Sequence, residues 1–168
     1  IVSSGDPGVF AMAAAVFEAM EGNERWQQID IAVVPGVSAM LAAAAAAGAP
    51  LGHDFCAINL SDNLKPWSSI EKRLALAVEA DFAIALYNPR SKSRPDTFGA
   101  ALETIARACG ADRLVVLVRN ASLPDEAVVS APLSEIAATD VDMRTLVIIG
   151  SSTTRRVGRW VYTPRRSP

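Results

Sequence analysis

Three short segments place glycine, proline and polar residues directly after apolar runs, at positions where α/β proteins bind ligands. The first, residues 3–10, reads Ser-Ser-Gly-Asp-Pro-Gly-Val-Phe. Gly5 and Gly8 lack the side chains that would hold a ligand away from the backbone. Asp6 could cap a following helix and leave main-chain donors at its N-terminus. The segment therefore predicts either a ligand-binding turn or simply a well-capped turn.

The second segment, residues 33–40, reads Val-Val-Pro-Gly-Val-Ser-Ala-Met and predicts another strand, turn and helix. The small side chains of Ala39–Ala47 favour close packing of that helix on a sheet, which needs no ligand. The turn at Gly36–Ala39 is the predicted ligand contact, because ligands of open α/β sheets lie beyond the carboxyl ends of strands.

The third segment, residues 85–94, ends an apolar run in Tyr87 and Asn88 and continues as a loop with three cations. Asn88 offers both a donor and an acceptor, which suits the amino-acid part or the purine edge of a ligand. The loop cations could pair with substrate carboxylates. For Lys92 we favour a solvated side chain without a ligand.

The segments that must position these residues alternate between strand-like and helix-like hydrophobic periodicity, as is typical of an α/β protein. Strands are predicted at Ile29–Val34, Phe55–Leu60, Phe82–Tyr87, Leu114–Val118, Ala127–Ser130 and Thr145–Ile149. Helices are predicted from start and stop residues: one opened by Asp6 and Pro7 and closed by Gly22, one from Ser38 to Gly48, one opened by Pro66, and one from Pro95 to Gly110.

The chain is predicted to hold parts of two domains. Residues 1–48 would be the end of an N-terminal parallel α/β domain, and residues 52–168 a C-terminal α/β domain. After Arg119, two strands flank a short predicted helix at Leu133–Ala138, which indicates a mixed sheet in the second domain. Because Ile1–Ser4 looks like the end of a strand inside a βα unit, a truncated chain is expected.

Composition and charge exclude several classes of protein. A formal charge of −2 and no basic tail argue against nucleic-acid binding. Cys56, Cys109 and His53 lack partners at metal-ligand spacing, so no metal site is predicted and the cysteines are expected to be buried free thiols. No Gly-x-Gly-x-x-Gly follows a predicted strand, which disfavours a dinucleotide-dependent oxidoreductase. The alanine run is too short to cross a bilayer, so a soluble cytoplasmic enzyme without membrane contact is expected.

The turns together resemble the tetrapyrrole methylase family, through Gly-Asp-Pro-x-x-Phe at 5–10 and Pro-Gly-x-Ser-Ala at 35–39. Residues 55–67, 87–91 and 150–155 are similar to the branch of that family that methylates C-17 of precorrin-3B. The resemblance runs in unbroken order to about Tyr162.

This resemblance implies a tetrapyrrole methylase-like fold in which S-adenosylmethionine, the methyl donor, lies between two α/β domains and the tetrapyrrole in an adjoining trough. The family's first strand and Gly-rich loop have no counterpart here. Carried over by position, the implied cofactor-binding residues are Gly5, Asp6, Val9, Phe10, Ser38, Ala39, Tyr87, Asn88, Arg119, Asn120, Ala121, Thr145 and Leu146.

The implied reaction is methyl transfer to C-17 of precorrin-3B with ring contraction to precorrin-4, in cobalamin biosynthesis. No catalytic side chain is assigned; Asp62 is a candidate for the substrate site and for acid–base help in the ring contraction, although it could equally cap the following helix. From charge and loop position, Arg90, Arg155 and Arg156 are candidates for binding substrate carboxylates. The alternatives are another precorrin or uroporphyrinogen-III methyltransferase, or a non-catalytic fragment that binds cofactor or dimerises. The resemblance also implies a homodimer.

Overall fold

The computed structural model describes residues 1–166, which divide into two compact units, Ile1–Leu41 and the chain from Ala42 onward. The division falls within helix α2 (Ala39–Ala47). The sequence places the domain boundary between residues 48 and 52, and that boundary stays a prediction. Ser167 and Pro168, the end of the predicted second domain, lie outside the described residues.

The first unit contains helix α1 (Met12–Met20) and a 3-10 turn at Trp26–Gln28. Neither Ile1–Ser4 nor Ile29–Val34 forms a strand, so both strand predictions are wrong for this structure. A strand requires a neighbour that accepts its main-chain hydrogen bonds, and no described residue pairs with either segment. Apolar side chains of the second segment are exposed as a result; Val34 is 74% accessible.

The second unit is built on a five-stranded mixed sheet in the order β2-β3-β6-β4-β5. Its strands are β2 (Phe55–Asn59), β3 (Ala83–Tyr87), β4 (Leu114–Arg119), β5 (Ala127–Pro132) and β6 (Thr145–Ile149). β2 runs parallel to β3, whereas β6 is antiparallel to both β3 and β4. The mixed sheet predicted from the sequence is confirmed, and the carboxyl ends of β2, β3 and β4 consequently meet at one edge with the amino end of β6.

Two amphipathic helices, α3 (Trp67–Glu79) and α4 (Thr97–Cys109), cover one face of this sheet. Their buried side chains recur at helical spacing, as Ile70, Leu74 and Val78 do on α3. Gly110 ends α4 with φ of 80°, a left-handed conformation that glycine adopts without strain. The two free cysteines pack against this core.

The end of the chain departs most from the predicted pattern. A three-stranded sheet in the order β1-β8-β7 joins β1 (Gly48–Ala49), β8 (Trp160–Tyr162) and β7 (Arg155–Val157). Strands of two or three residues are too short to show an alternating pattern.

The helix predicted at Leu133–Ala138 is wrong; two 3-10 turns stand there, Leu133–Glu135 and Ala138–Asp140. A carboxylate oxygen of Asp140 accepts the Ala137 N–H at 2.8 Å, which offers the backbone a local alternative to a short, costly helix.

A carboxylate ties strand ends together at the opposite edge of the five-stranded sheet. Asp81, in a left-handed conformation (φ 57°) just before β3, accepts hydrogen bonds from Arg113 Nη1 at 2.6 Å and from Ser152 N and Oγ at 2.7 and 2.5 Å. Arg113 Nη1 also donates to the Gly150 carbonyl at 3.2 Å. Burial alone would raise the pKa of Asp81, but these hydrogen bonds outweigh it and lower the pKa below its ordinary value of 3.8.

No helix among residues 1–166 is both long and apolar enough to cross a membrane.

Candidate functional site

In the first unit, Asp6 joins the two glycine-containing turns. Its Oδ1 accepts the Gly8 N–H at 2.8 Å and its Oδ2 accepts the Gly36 N–H at 3.1 Å. The predicted role of Asp6 as a helix N-cap is wrong, because α1 begins at Met12 and is preceded by Ala11. The carboxylate instead satisfies donors within its own turn and thirty residues away, which fixes the two turns against each other.

The two turns approach each other so closely that they need glycine at Gly5 and Gly36. A Cβ added to Gly36 would lie 2.2 Å from the Gly5 carbonyl oxygen, a distance that real side chains do not adopt. Gly5 has φ of 70°, which glycine accommodates without strain. Close backbone contact therefore explains both residues without a ligand, and a ligand would have to contact the outer side of the turns.

The other residues predicted in this unit differ in accessibility. Ala39 is exposed and Phe10 is 48% exposed with φ of 52°. Val9 is half-buried and Ser38 is buried. The first turn therefore presents Gly5 and Phe10 at the surface of its unit, and their contact with a cofactor stays a prediction.

In the second unit, the structure brings the predicted cofactor residues to one edge of the five-stranded sheet. Asn59 at the end of β2 pairs with Tyr87 at the end of β3. Thr145 at the start of β6 pairs with Arg119 at the end of β4, and Leu146 pairs with Val118. We call this row of strand ends the carboxyl edge; Asn88, Asn120 and Ala121 directly follow it in the chain.

Two asparagines leave the carboxyl edge in the left-handed conformation, Asn88 with φ of 53° and Asn120 with φ of 52°. Asparagine tolerates this conformation better than most residues with a side chain. Asn88 Nδ2 donates to Asn59 Oδ1 at 3.1 Å, and Arg94 Nη1 donates to the Asn88 carbonyl at 3.2 Å. Within residues 1–166 no hydrogen bond reaches Asn88 Oδ1, which leaves this oxygen as an acceptor.

The side chains of Arg119, Asn120 and Thr145 are held by carboxylates. Arg119 Nε donates to Asp142 Oδ2 at 3.0 Å, and Thr145 Oγ1 donates to Asp142 Oδ1 at 2.9 Å. Asn120 Nδ2 donates to Asp125 Oδ2 at 2.6 Å. These hydrogen bonds hold the three side chains in place along the carboxyl edge. A ligand would therefore meet mainly the backbone of these residues.

The pKa of Asp142 reflects the same contacts. Burial alone would raise it, but hydrogen bonds from the Arg119 and Thr145 side chains and the Arg144 N–H, with the Arg119 charge, lower it below 3.8.

The four candidate substrate residues are distributed over three places. Arg90, in the loop after Asn88, donates from Nε to the Pro95 carbonyl at 3.0 Å. Arg155 and Arg156 are exposed neighbours on β7, and Arg156 donates to the Ser130 carbonyl. Asp62 is exposed in the loop before α3 and does not cap that helix, which begins at Trp67 after Pro66. A role for all four in substrate binding stays a prediction.

Sequence reasoning missed three residues that shape the carboxyl edge: Asn59, Asp125 and Asp142. Asn59 was visible as a polar residue near the end of a predicted strand, the same position that singled out Asn88. Asp125 and Asp142 lie in loops, and only the sheet pairing of β4 with β6 shows that they serve its strand ends.

The residues present fit S-adenosylmethionine chemically. Its ammonium and ribose hydroxyls need acceptors, and its adenine needs backbone donors and acceptors. Asn88 Oδ1 supplies an acceptor, and the left-handed exits at Asn88 and Asn120 turn backbone groups out of the ladder. Within residues 1–166 there is no group of three or more His, Cys, Asp or Glu that could hold a metal ion.

The fold and the carboxyl edge define a known class of enzyme. The chain belongs to the tetrapyrrole (corrin/porphyrin) methylases, whose family model matches residues 1–137.

Within that class, the chain is 56% identical to the precorrin-3B C(17)-methyltransferase of Sinorhizobium sp., over 98% of this chain and 67% of that protein. The chain thus spans about two thirds of this relative.

Solved structures agree with this placement. The crystal structure of the methyltransferase CobJ matches with a TM-score of 0.95 and 56% identity, over 97% of this chain and 68% of that one. A uroporphyrin-III C-methyltransferase from Thermus thermophilus complexed with S-adenosyl homocysteine shares the fold, with a TM-score of 0.60 and 22% identity over 87% of this chain and 62% of that one. The predicted α/β fold of this family is confirmed.

Proposed function

We propose that this chain belongs to an enzyme that transfers a methyl group from S-adenosylmethionine to C-17 of precorrin-3B, with ring contraction to precorrin-4, in cobalamin biosynthesis. The observation that carries the proposal is 56% identity to a precorrin-3B C(17)-methyltransferase along 98% of the chain. The carboxyl edge supports it independently, since it gathers polar and backbone groups suited to the methyl donor at one end of the sheet.

The donor, when bound, supplies an already activated methyl group. The protein therefore needs no nucleophilic side chain and acts by positioning, which can supply about 7–11 kcal/mol in favourable cases. Asn88 would accept a hydrogen bond from the methionine part or the ribose. Tyr87, one residue earlier, would lie beside the same part of the donor. The backbone of Arg119, Asn120 and Ala121, with Thr145 and Leu146, would flank the adenine.

On the family resemblance, residues of the two turns in the first unit are also proposed as cofactor contacts. Asp6 holds those turns together, so Gly5, Val9 and Phe10 would present one fixed surface, with Ser38 and Ala39 following Gly36. Asp6 itself would contribute mainly through its backbone, because both of its carboxylate oxygens already accept hydrogen bonds.

The residues proposed to bind the substrate are chosen for their positive charge. Tetrapyrrole precursors carry several acetate and propionate groups, and guanidinium groups bind carboxylates in a fixed geometry. Exposed Arg155 and Arg156, with Arg90, are the proposed partners, and Asp62 a proposed neighbour of the ring. The acid or base needed for ring contraction is left unassigned. A homodimer in the cytoplasm remains part of the proposal on family resemblance.

Calorimetric titration with S-adenosylhomocysteine tests the cofactor half of this proposal. The 168-residue chain is compared with a version in which any residues of the Sinorhizobium relative that precede its matched region are placed before Ile1. We expect micromolar or tighter binding by the extended version. Binding by the 168-residue chain as well would show that its own residues suffice, whereas no binding by either would refute the cofactor assignment and the function with it.

A further inference from the structure

The side chain of Asn59 can adopt only one orientation at the carboxyl edge. Its Oδ1 accepts the backbone N–H of Ser61 at 2.9 Å, a local turn that only the oxygen of the carboxamide can make. A flipped carboxamide would set an NH₂ group against that N–H. The backbone of the β2 exit therefore fixes which side of Asn59 carries the oxygen.

This orientation determines the orientation of Asn88. The same Asn59 Oδ1 lies 3.1 Å from Asn88 Nδ2, and an acceptor at that distance requires a donor opposite it. Asn88 must therefore direct its NH₂ group toward Asn59 and its oxygen away from it. The Asn88 backbone is held as well, by Arg94 on its carbonyl and by the Leu60 N–H on the preceding Tyr87 carbonyl at 3.0 Å.

We propose that Asn59 is a positioning residue that keeps Asn88 Oδ1 facing the bound methyl donor, so that this oxygen is presented there as a hydrogen-bond acceptor. The inference rests on the proposed function, because it takes Asn88 as a donor-facing residue. It adds a selectivity rule for that oxygen: the group that meets Asn88 Oδ1 is a donor, an ammonium or a ribose hydroxyl, and not the carboxylate of the methionine part. A free carboxamide could flip to meet either, whereas this one is fixed.

The test measures the affinity for S-adenosylhomocysteine of four single variants at positions 59 and 63, and of Asn88→Ala with and without Asn59→Ala, in whichever version of the chain binds it. Asn59→Ala and Asn59→Ser both remove the contact, because the serine hydroxyl is too short to reach Asn88. Asn59→Asp keeps an acceptor toward both Ser61 and Asn88. Asn63→Ala, an exposed asparagine in the following loop, is the matched control.

We expect Asn59→Ala and Asn59→Ser to weaken binding about tenfold, in line with the loss of one oriented hydrogen bond. Asn59→Asp should stay within threefold of the wild type, and Asn63→Ala should equal it. In an Asn88→Ala background, Asn59→Ala should have no further effect on affinity, because its action passes through Asn88. Thermal unfolding of each variant separates a loss of stability from a loss of affinity.

The outcomes distinguish the two proposals. If the wild type does not bind S-adenosylhomocysteine, the proposed function fails and the premise for Asn59 with it. If the wild type binds and Asn88→Ala weakens binding, but Asn59→Ala does not, only the positioning role is overturned. Equal losses for Asn59→Ala alone and in the Asn88→Ala background would also overturn it, because Asn59 would then act without Asn88.

Discussion

Asp81→Asn removes the charge that joins strand ends at the edge opposite the candidate site. The carboxylate accepts hydrogen bonds from Arg113 and twice from Ser152. Asparagine can still accept the Ser152 N–H, but it replaces one oxygen with an NH₂ group. The Arg113 guanidinium, whose side chain is only 12% exposed, then keeps the Gly150 carbonyl and loses its charged partner.

The size of the effect follows from burial on the two sides of the pair. A hydrogen bond to a charged group contributes about 1.5–3 kcal/mol, whereas an exposed ion pair contributes about 0.2–1 kcal/mol. The Asp81 side chain is 42% exposed, so solvent screens part of its charge. We expect the free energy of unfolding to fall by about 1–2 kcal/mol at pH 7, which for a chain of this length lowers Tm by about 2–8 °C.

The pH dependence gives a sharper test. The folded state lowers the pKa of Asp81 below 3.8, so the carboxylate stabilises the fold fully above pH 3.8. That stabilisation is lost as the pH falls through the lower, folded-state pKa. The difference in stability between wild type and Asp81→Asn should therefore be constant from pH 7 to about pH 5 and shrink below pH 3.8.

Urea unfolding between pH 3 and pH 7 measures this difference, with Asp112→Asn as control. Asp112 is an exposed aspartate next to Arg113, so its variant removes a charge from the same region. A loss of stability for Asp112→Asn as large as that for Asp81→Asn would refute the reasoning, since it would reflect net charge and not these contacts. So would a difference for Asp81→Asn that does not change down to pH 3.

Two glycine substitutions test the packing with opposite signs. Gly36→Ala places a Cβ 2.2 Å from the Gly5 carbonyl oxygen and should cost about 1–3 kcal/mol, which amide hydrogen exchange would report as roughly tenfold or faster exchange at Gly8. Unchanged protection at Gly8 would contradict the contact between the turns. Gly99→Ala, within α4, meets only the Ala138 Cβ at 3.6 Å and should raise stability by about 0.5–1 kcal/mol, measured by urea unfolding. A decrease would show that α4 has no room there.

In the second unit, the five-stranded sheet and the two helices that cover it could be predicted from the sequence almost element by element. The strand run Thr145–Ile149 is β6, α3 begins at its predicted start after Pro66, and α4 begins and ends close to its predicted signals, because local periodicity and Gly or Pro residues determine them. The first unit was predicted less well. Ile29–Val34 has a strand-like composition, but a strand depends on a neighbour, and composition does not report whether one is present.

The same distinction applies to the candidate site. Tyr87 and Asn88 could be found because they end a buried strand, and the structure places them at the edge that Arg119 and Thr145 share. The roles of Asn59 and Asp142 depend on hydrogen bonds between elements 23 to 29 residues apart, which spacing in the sequence does not reveal. Asp6 shows the opposite case. A local helix cap was predicted for it, but its carboxylate instead accepts the Gly36 N–H, thirty residues away.

The central claim is that the carboxyl edge holds the methyl donor of a tetrapyrrole methylase. Calorimetric titration with S-adenosylhomocysteine of the version extended at Ile1, beside its Asn88→Ala variant, tests it most directly. We predict one site per chain for the extended version and binding about tenfold weaker for Asn88→Ala. Absence of binding by the extended version, or equal affinity of the two, would contradict the claim.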